Sequence, residues 1–205
     1  THKGWHAAVL LGGFAQLLTT QGDASALAHI SGGLDEWVPH GTGPEHVQTV
    51  LEALLRPTSG TRRTSLAEPL AKISRRAGPG GAVVLASDLL DDEQDILRAL
   101  SELAARGHQV LLLHVLHRNE LDLPFTDPGV FVGLEGEPSV EADPRTVRED
   151  YLAELEAWLS RLQAGCERSG LRYVMAATDR PPAETLTRAV LEGSRGLESR
   201  SARWG

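Results

Sequence analysis

The sequence predicts an α/β fold, with a mostly parallel β-sheet, helices on both faces and one antiparallel edge strand. Three observations support this prediction. Continuous apolar runs at residues 82–90 and 109–115 are typical of parallel strands that are buried on both faces. The helical segment between them, residues 93–106, completes a strand–helix–strand crossover unit. Pro39, within a strand predicted at residues 34–40, suits a sheet edge, because a missing amide hydrogen costs little there.

The first part of the chain predicts a helix followed by a hairpin. Residues 7–18 have helical spacing although they include Gly12 and Gly13, whose small size should let the helix lie close to a sheet. Two short apolar runs separated only by Gly32-Gly33 predict a β-hairpin. The remaining predicted elements are hairpin strands at 24–31 and 34–40, helices at 44–56, 65–77 and 146–169, a strand at 172–177 and a helix at 181–192.

Length and composition indicate one domain, which we place at residues 3–192. A chain of 205 residues with 41% hydrophobic content can bury one sizeable core. Residues 120–144 are rich in turn formers with short apolar alternations, which predicts a peripheral insertion. Residues 193–205 are predicted to be disordered. Because helical spacing begins almost at Thr1, we expect a further amino-terminal portion to precede this sequence.

The charge and cysteine content narrow the class of protein. A net charge of −8 disfavours a nucleic-acid surface, since phosphate binding depends on clustered Lys and Arg. The lone cysteine, Cys166, excludes an internal disulfide and favours a reducing compartment. No apolar run is long enough to span a membrane, and the first residues do not resemble a signal peptide. We therefore expect a soluble, cytoplasmic protein.

Oxygen-bearing side chains follow the predicted strands and suggest a site for a hard cation such as Mg²⁺. Most of them have a structural explanation as helix caps: Ser65, Asp92 and Asp179 each precede a predicted helix. Asp88 differs, because a carboxylate that ends a buried strand needs a partner of its own. The set consists of Thr64, Ser65, Ser87, Asp88, Asp91, Asp92, Thr178 and Asp179.

Motifs for other chemistry are absent from the sequence. The histidines show no zinc-ligand spacing and are expected to be structural, His114 among them. There is no phosphate-binding glycine loop and no Gly-x-Ser-x-Gly elbow, and Cys166 has no recognisable histidine partner. The sequence therefore gives no support for nucleophilic catalysis, and we expect no catalytic residues.

Three motifs carry a resemblance to a known family. They are Val83-Val-Leu-Ala-Ser-Asp-Leu-Leu-Asp-Asp92, His114-Val-Leu-His-Arg-Asn-Glu-Leu-Asp-Leu-Pro-Phe125 and Ala177-Thr-Asp-Arg-Pro181, preceded by the turn Gln21-Gly-Asp23. In their order the chain resembles bacterial domain-of-unknown-function proteins with a von Willebrand factor A-like domain, commonly found beside MoxR-type AAA ATPases. The resemblance covers about residues 3–192 and implies a Rossmann-like, von Willebrand factor A-like fold.

The resemblance also implies a metal-ion-dependent adhesion site. Such a site holds Mg²⁺ with an Asp-x-Ser-x-Ser loop after the first strand, a Thr in a second loop and an Asp in a third. Thr64 and Asp88 match the second and third elements, whereas the first strand and its loop are absent from this sequence. That strand would lie centrally, between residues 24–31 and 82–90. Arg62 and Arg63, directly before Thr64, would repel a cation. Mg²⁺ is therefore expected in a complete domain and not in this chain.

The preferred functional expectation is a non-enzymatic interaction domain. By resemblance, its surface around Thr64 and Asp88 would dock a MoxR-type AAA ATPase, and a carboxylate of the partner would complete the metal coordination. The alternative is a metal-dependent phosphodiester hydrolase or nuclease that uses Asp88, Asp91 and Asp179 to position ions. A nuclease needs a positive track beside these acids, which the acidic composition disfavours. A third interpretation is that the sequence is an inactive fragment.

Overall fold

The computed structural model describes residues 2–31, 33–56, 66–78, 80–132 and 139–201, except the side chains of residues 192–201. It confirms the α/β class, with a parallel sheet, flanking helices and separate antiparallel strands. The elements are α1 (Lys3–Thr20), β1 (Ser25–Ile30), β2 (Leu34–Gly41), α2 (Pro44–Leu54), α3 (Ala67–Ala77), β3 (Ala82–Ser87), α4 (Glu93–Ala105), β4 (Gln109–Leu116), α5 (Arg118–Asp122), β5 (Gly129–Phe131), β6 (Val140–Ala142), α6 (Pro144–Arg168), β7 (Arg172–Ala177) and α7 (Pro182–Ser201).

The central sheet has three parallel strands in the order β3-β4-β7. Side chains of the middle strand, β4, alternate between two apolar clusters, as the period of a strand requires. Val110 and Leu112 pack in a cluster with α3, α4 and α6. Leu111, Leu113 and Val115 pack on the other face with α1 and α7. The helices therefore cover both faces of the sheet, which the sequence predicted.

The hairpin formed by β1 and β2 is antiparallel, with Leu27 opposite Val38. It forms its own two-stranded sheet, so its second strand does not lie at the edge of the parallel sheet as expected. The physical reason is a gap: within the described residues, no strand pairs with the outer edge of β3.

A cavity of about 840 Å³ lies in this gap. It is lined by every residue of 24–30 along β1 and of 82–88 along β3. Since strand side chains alternate between faces, contact with every residue means that the cavity follows the two strand edges. A slot for one strand of six residues would be about 20 Å long, 4.8 Å wide and 10 Å deep, or roughly 950 Å³. The volume of the cavity is close to this value.

The glycines of α1 serve helix packing, not the helix–sheet approach that we expected. A Cβ atom on Gly12 would lie 2.7 Å from Cδ2 of Leu51 in α2. One on Gly13 would lie 2.6 Å from Cδ1 of Leu186 in α7. These two positions bring α1 close to its neighbouring helices.

Several element ends differ from the prediction. Strand β3 ends at Ser87, not at residue 90, because Leu89 adopts a left-handed conformation with φ of 56°. Helix α7 continues to Ser201, although residues from 193 onward were predicted to be disordered. The last four residues, 202–205, lie outside the described residues.

The predicted insertion, residues 120–144, contains two different parts. Its first residues complete the short helix α5 and include Leu123, which is buried. Strands β5 and β6 then form an antiparallel hairpin in which almost every residue is exposed. Asp143 caps the amino end of α6, accepting a hydrogen bond from the amide of Arg145 at 3.0 Å.

Candidate functional site

Asp88 is the first residue after β3 and lies at the carboxyl end of the parallel sheet. Ser87 stands opposite His114 of β4, and Leu116 of β4 stands opposite Ala177 of β7. The residues that follow these three strands therefore share one edge of the sheet. Ligands of open α/β sheets bind just beyond this edge.

Lys3 bridges two carboxylates at this edge. Its Nζ lies 2.8 Å from Oδ2 of Asp88 and 2.7 Å from Oε1 of Glu120, and all three side chains are partly exposed. Burial alone would lower the pKa of Lys3, but hydrogen bonds and charge attraction from both carboxylates raise it above its usual value. We call Lys3, Asp88 and Glu120 the sheet-end cluster; with one ammonium and two carboxylates, its net charge is −1.

The turn that presents Asp88 has a strained backbone. Leu89 has a positive φ of 56° and is only 1% exposed. Its amide donates a hydrogen bond of 3.1 Å to Oγ of Ser87. A buried residue without the conformational freedom of glycine persists in this region only when its surroundings hold it there, and such positions cluster at functional sites.

His114 braces this turn from below. Its Nε2 lies 3.2 Å from the backbone oxygen of Asp88, and its Nδ1 lies 2.8 Å from Oη of Tyr173. The ring is fully buried and meets the ring of Trp158 edge-on, with centroids 5.1 Å apart. Burial lowers the pKa of His114 to about 4. The hydrogen bond to the Asp88 carbonyl and the charges of Asp88 and Glu120 oppose this shift in part. The neutral ring therefore donates from Nε2 to the carbonyl and accepts at Nδ1 from Tyr173.

Glu120 is fixed by α5. Its Oε2 accepts a hydrogen bond of 2.6 Å from the amide of His117, which forms a capping box with that residue. Its backbone oxygen accepts one of 2.8 Å from Oη of Tyr151 in α6. The carboxylate of Glu120 is thus held by a backbone amide and by Lys3, and the carboxylate of Asp88 is held by Lys3.

Of the other predicted site residues that the structure describes, Asp91, Asp92 and Asp179 make contacts outside the cluster. Asp92 caps α4, accepting hydrogen bonds from the amides of Gln94 and Asp95. Asp91 accepts a hydrogen bond from the amide of Asp92. Asp179 pairs with Nη1 of Arg118 at 3.1 Å. Thr64, Ser65 and the two arginines before them lie outside the described residues.

The described residues do not fit a Mg²⁺ site. The ammonium of Lys3 lies 2.8 Å from Oδ2 of Asp88 and would repel a cation at that carboxylate. Within the described part of the chain, no group of three His, Cys, Asp or Glu side chains could hold a metal ion. A hard cation needs several preorganised oxygens, and these residues supply two carboxylates that are already neutralised in part.

Sequence reasoning missed Lys3 and Glu120 and placed His114 only as a structural residue. Lys3 and Glu120 are 117 positions apart, so no local spacing could connect them. A signal for His114 existed, because it is the one polar side chain between Val110 and Leu116 of the apolar strand. A buried polar group at the end of a strand needs partners, and the nearest backbone is that of the neighbouring strand end.

The fold and this edge together define an α/β domain with a braced, charged site at the carboxyl ends of its strands. The chain belongs to the DUF58 family, described as proteins of unknown function, and the match covers residues 1–158. No curated protein matches the chain.

One solved structure with similarity to this chain is described as an uncharacterized membrane spanning protein from Vibrio fischeri. It is 15% identical, covers 93% of this chain and 83% of its own, and superposes with a TM-score of 0.29, which is too low to assign a fold. Of the helices in the described residues, none combines the length and apolar character that a membrane crossing needs.

Proposed function

We propose that this chain is a non-enzymatic protein-interaction domain that binds its partner at the carboxyl end of the parallel sheet, around Asp88. One observation carries the proposal: the strained turn at Leu89, braced by buried His114, presents a partly exposed carboxylate at a fixed place. Binding and catalytic groups need such support from the residues beneath them.

By resemblance, the partner is a MoxR-type AAA ATPase, and the proposal places the domain in the cytoplasm with its partner. The von Willebrand factor A-like fold is part of the same proposal. It is supported by the strand-sized cavity between β1 and β3, at the position of that fold's first strand. The chemistry at Asp88 is ionic: Lys3 balances one of two carboxylates, which leaves an acceptor for a basic group of the partner.

The hydrolase alternative has less support from the geometry. Two of its three acids are engaged by cations, Asp88 by Lys3 and Asp179 by Arg118. A two-metal mechanism needs acids that converge on ions and are free to bind them. We therefore do not propose an enzymatic activity.

The test measures binding of the purified chain to the purified MoxR-type ATPase of the same organism by biolayer interferometry, with ATP and Mg²⁺ present. Asp88→Asn keeps the side-chain shape and removes the charge, and we expect it to weaken binding at least tenfold. Asp95→Asn is the matched control, since Asp95 is also an acid in an ion pair, with Arg98 on the exposed face of α4. Circular dichroism should show that both variants are folded.

Equal binding by wild type and Asp88→Asn would show that the partner does not use this edge. An absence of binding by the wild-type chain would overturn the ATPase as partner.

A further inference from the structure

The hairpin of β5 and β6 exposes a cluster of apolar side chains. Eleven large hydrophobic side chains are exposed in the described part of the chain, and five of them lie within residues 125–140. Scattered apolar residues on a surface are normal, but a group concentrated in one segment indicates a contact site. We call this group the hairpin patch; its members are Phe125, Val130, Phe131, Val132 and Val140.

The patch covers both faces of the hairpin. Phe131 stands opposite Val140, and the ring of Phe125 meets that of Phe131 edge-on at 6.2 Å between centroids. Val130 stands opposite Glu141 and therefore lies on the other face, where it is 61% exposed. A two-stranded hairpin with three residues in each strand is marginally stable by itself. Its apolar side chains gain most when a second surface covers them.

The charges around the patch are acidic. Asp127 and Glu141 are exposed, and no described basic side chain pairs with either of them. The nearby arginines are engaged elsewhere: Arg145 pairs with Asp143, and Arg148 donates to backbone oxygens. A complementary surface would therefore be apolar at its centre and basic at its rim.

The base of the hairpin is fixed beside the sheet-end cluster. Arg148 of α6 donates hydrogen bonds of 3.0 Å and 2.7 Å to the backbone oxygens of Leu123 and Phe125. Tyr151, one turn further along α6, bonds the backbone oxygen of Glu120, whose carboxylate holds Lys3. The patch and the cluster are thus linked through one short segment of chain and one helix.

We propose that the hairpin patch is the apolar anchor for the same protein partner that binds at Asp88; this inference rests on the proposed function. The occupant is a groove of the ATPase with an apolar floor and basic rim, into which Phe125 and Phe131 insert. Aromatic side chains in such grooves commonly dominate binding energy. A second copy of the chain would set Asp127 and Glu141 against like charges, and an anionic lipid surface would repel them.

The experiment adds variants to the binding measurement with the purified ATPase. Phe125→Ser and Phe131→Ser should each weaken binding roughly tenfold or more. Leu191→Ser is the matched control, an exposed apolar residue on α7 that should bind like wild type. Asp127→Lys with Glu141→Lys should slow association several-fold, and most strongly at low salt, because it reverses the charge of the rim. Thermal unfolding should show all variants folded, since the altered side chains are exposed.

The outcomes separate the two proposals. Loss of binding in both phenylalanine variants and in Asp88→Asn supports a common surface. Loss in Asp88→Asn alone overturns the hairpin anchor and leaves the proposed function standing. Loss in the phenylalanine variants alone overturns the role of Asp88. Self-association in sedimentation, or binding to phosphatidylglycerol vesicles, that disappears in Phe131→Ser would assign the patch to a second copy or to lipid and overturn the anchor.

Discussion

Nε2 of His114 lies 3.2 Å from the backbone oxygen of Asp88, so a buried ring in the middle strand supports the turn at the end of the neighbouring strand. The contact crosses the sheet at its carboxyl edge, where Ser87 and His114 stand opposite each other. This contact links the core to the sheet-end cluster. A substitution of His114 would therefore alter the backbone of Asp88 without removing a contact of its carboxylate.

Replacing His114 with Leu should destabilise the protein strongly. Leucine fills a similar volume with an apolar side chain, but it leaves the Asp88 carbonyl and the Tyr173 hydroxyl without their hydrogen-bond partner. Each unsatisfied buried group costs about 1–3 kcal/mol, so we expect a loss of roughly 2–4 kcal/mol in the free energy of unfolding, measured with urea at pH 7. Tyr173→Phe, which removes only one of the two contacts, should lose less. Equal stability of His114→Leu and wild type would contradict the bracing role.

The stability should also fall between pH 6.5 and pH 4. Burial lowers the pKa of His114 from 6.5 to about 4, so in this window the unfolded chain binds a proton that the folded chain does not. The unfolding free energy therefore decreases as the pH falls, by about 3 kcal/mol from this residue over the whole window. Urea titrations at half-unit steps would measure it. The slope should be shallower in His114→Leu, and an identical slope would assign the acid sensitivity to other groups.

The thiol of Cys166 should be unreactive in the folded protein. It is completely buried, and burial raises its pKa to about 11, so almost no thiolate exists at pH 8. The thiolate is the reactive form, and access is blocked as well. A disulfide reagent such as DTNB should report no fast thiol without denaturant and one thiol per chain in 6 M guanidinium. Rapid reaction of the native protein would show that the α6 face of the core opens.

The layered architecture could be predicted because it follows from local patterns. The apolar runs near residues 82 and 109, and the helix between them, needed no distant contact to be recognised. The position of the β1–β2 hairpin relative to the parallel sheet could not be predicted in the same way. Whether β2 lies at the edge of the parallel sheet depends on what pairs with β3, and that pairing involves residues far apart in sequence.

In the candidate site, too, the residues that could be predicted are those whose position follows from local sequence. The position of Asp88 followed from the end of one strand, and the capping role of Asp92 from its place before a helix. The ammonium of Lys3 at Asp88 could not be foreseen, because it depends on how α1 packs against the sheet. The positive φ of Leu89 could not be predicted either, because leucine rarely adopts this conformation and only the surrounding structure holds it there.

Replacing residues 126–141 with a short Gly/Ser linker should change the melting temperature by only a few degrees. The β5–β6 hairpin buries little apolar area, so its loss costs about 1 kcal/mol or less. A longer replacement, over residues 120–144, removes Glu120, buried Leu123 and the Asp143 cap, and should destabilise much more. Differential scanning calorimetry of both variants is the measurement. A large loss in the shorter replacement would show that the hairpin covers core.

The last prediction concerns divalent cations. We expect wild-type chain to bind Mg²⁺ or Mn²⁺ no better than millimolar, the weak range for a hard-cation site with few ligands. The reason is Lys3, whose ammonium lies within 2.8 Å of both the Asp88 and the Glu120 carboxylates and repels a second cation. Lys3→Met keeps an unbranched side chain that is one atom shorter, removes that charge and releases both carboxylates from the ion pair. It should tighten Mn²⁺ binding roughly fivefold or more, since a unit charge within a few ångströms is worth at least about 1 kcal/mol.

The chain supplies its own control for this experiment. Lys72 is its only other lysine and pairs with Glu68 on the exposed face of α3, so Lys72→Met should leave Mn²⁺ binding unchanged. Adding Asp88→Asn to Lys3→Met should abolish the gain, because one carboxylate cannot hold a hard cation against water. Isothermal titration calorimetry of the four proteins, at one ionic strength, gives the comparison. Micromolar binding by the wild type, or equal binding by Lys3→Met and Lys72→Met, would show that Lys3 does not control access of cations to Asp88.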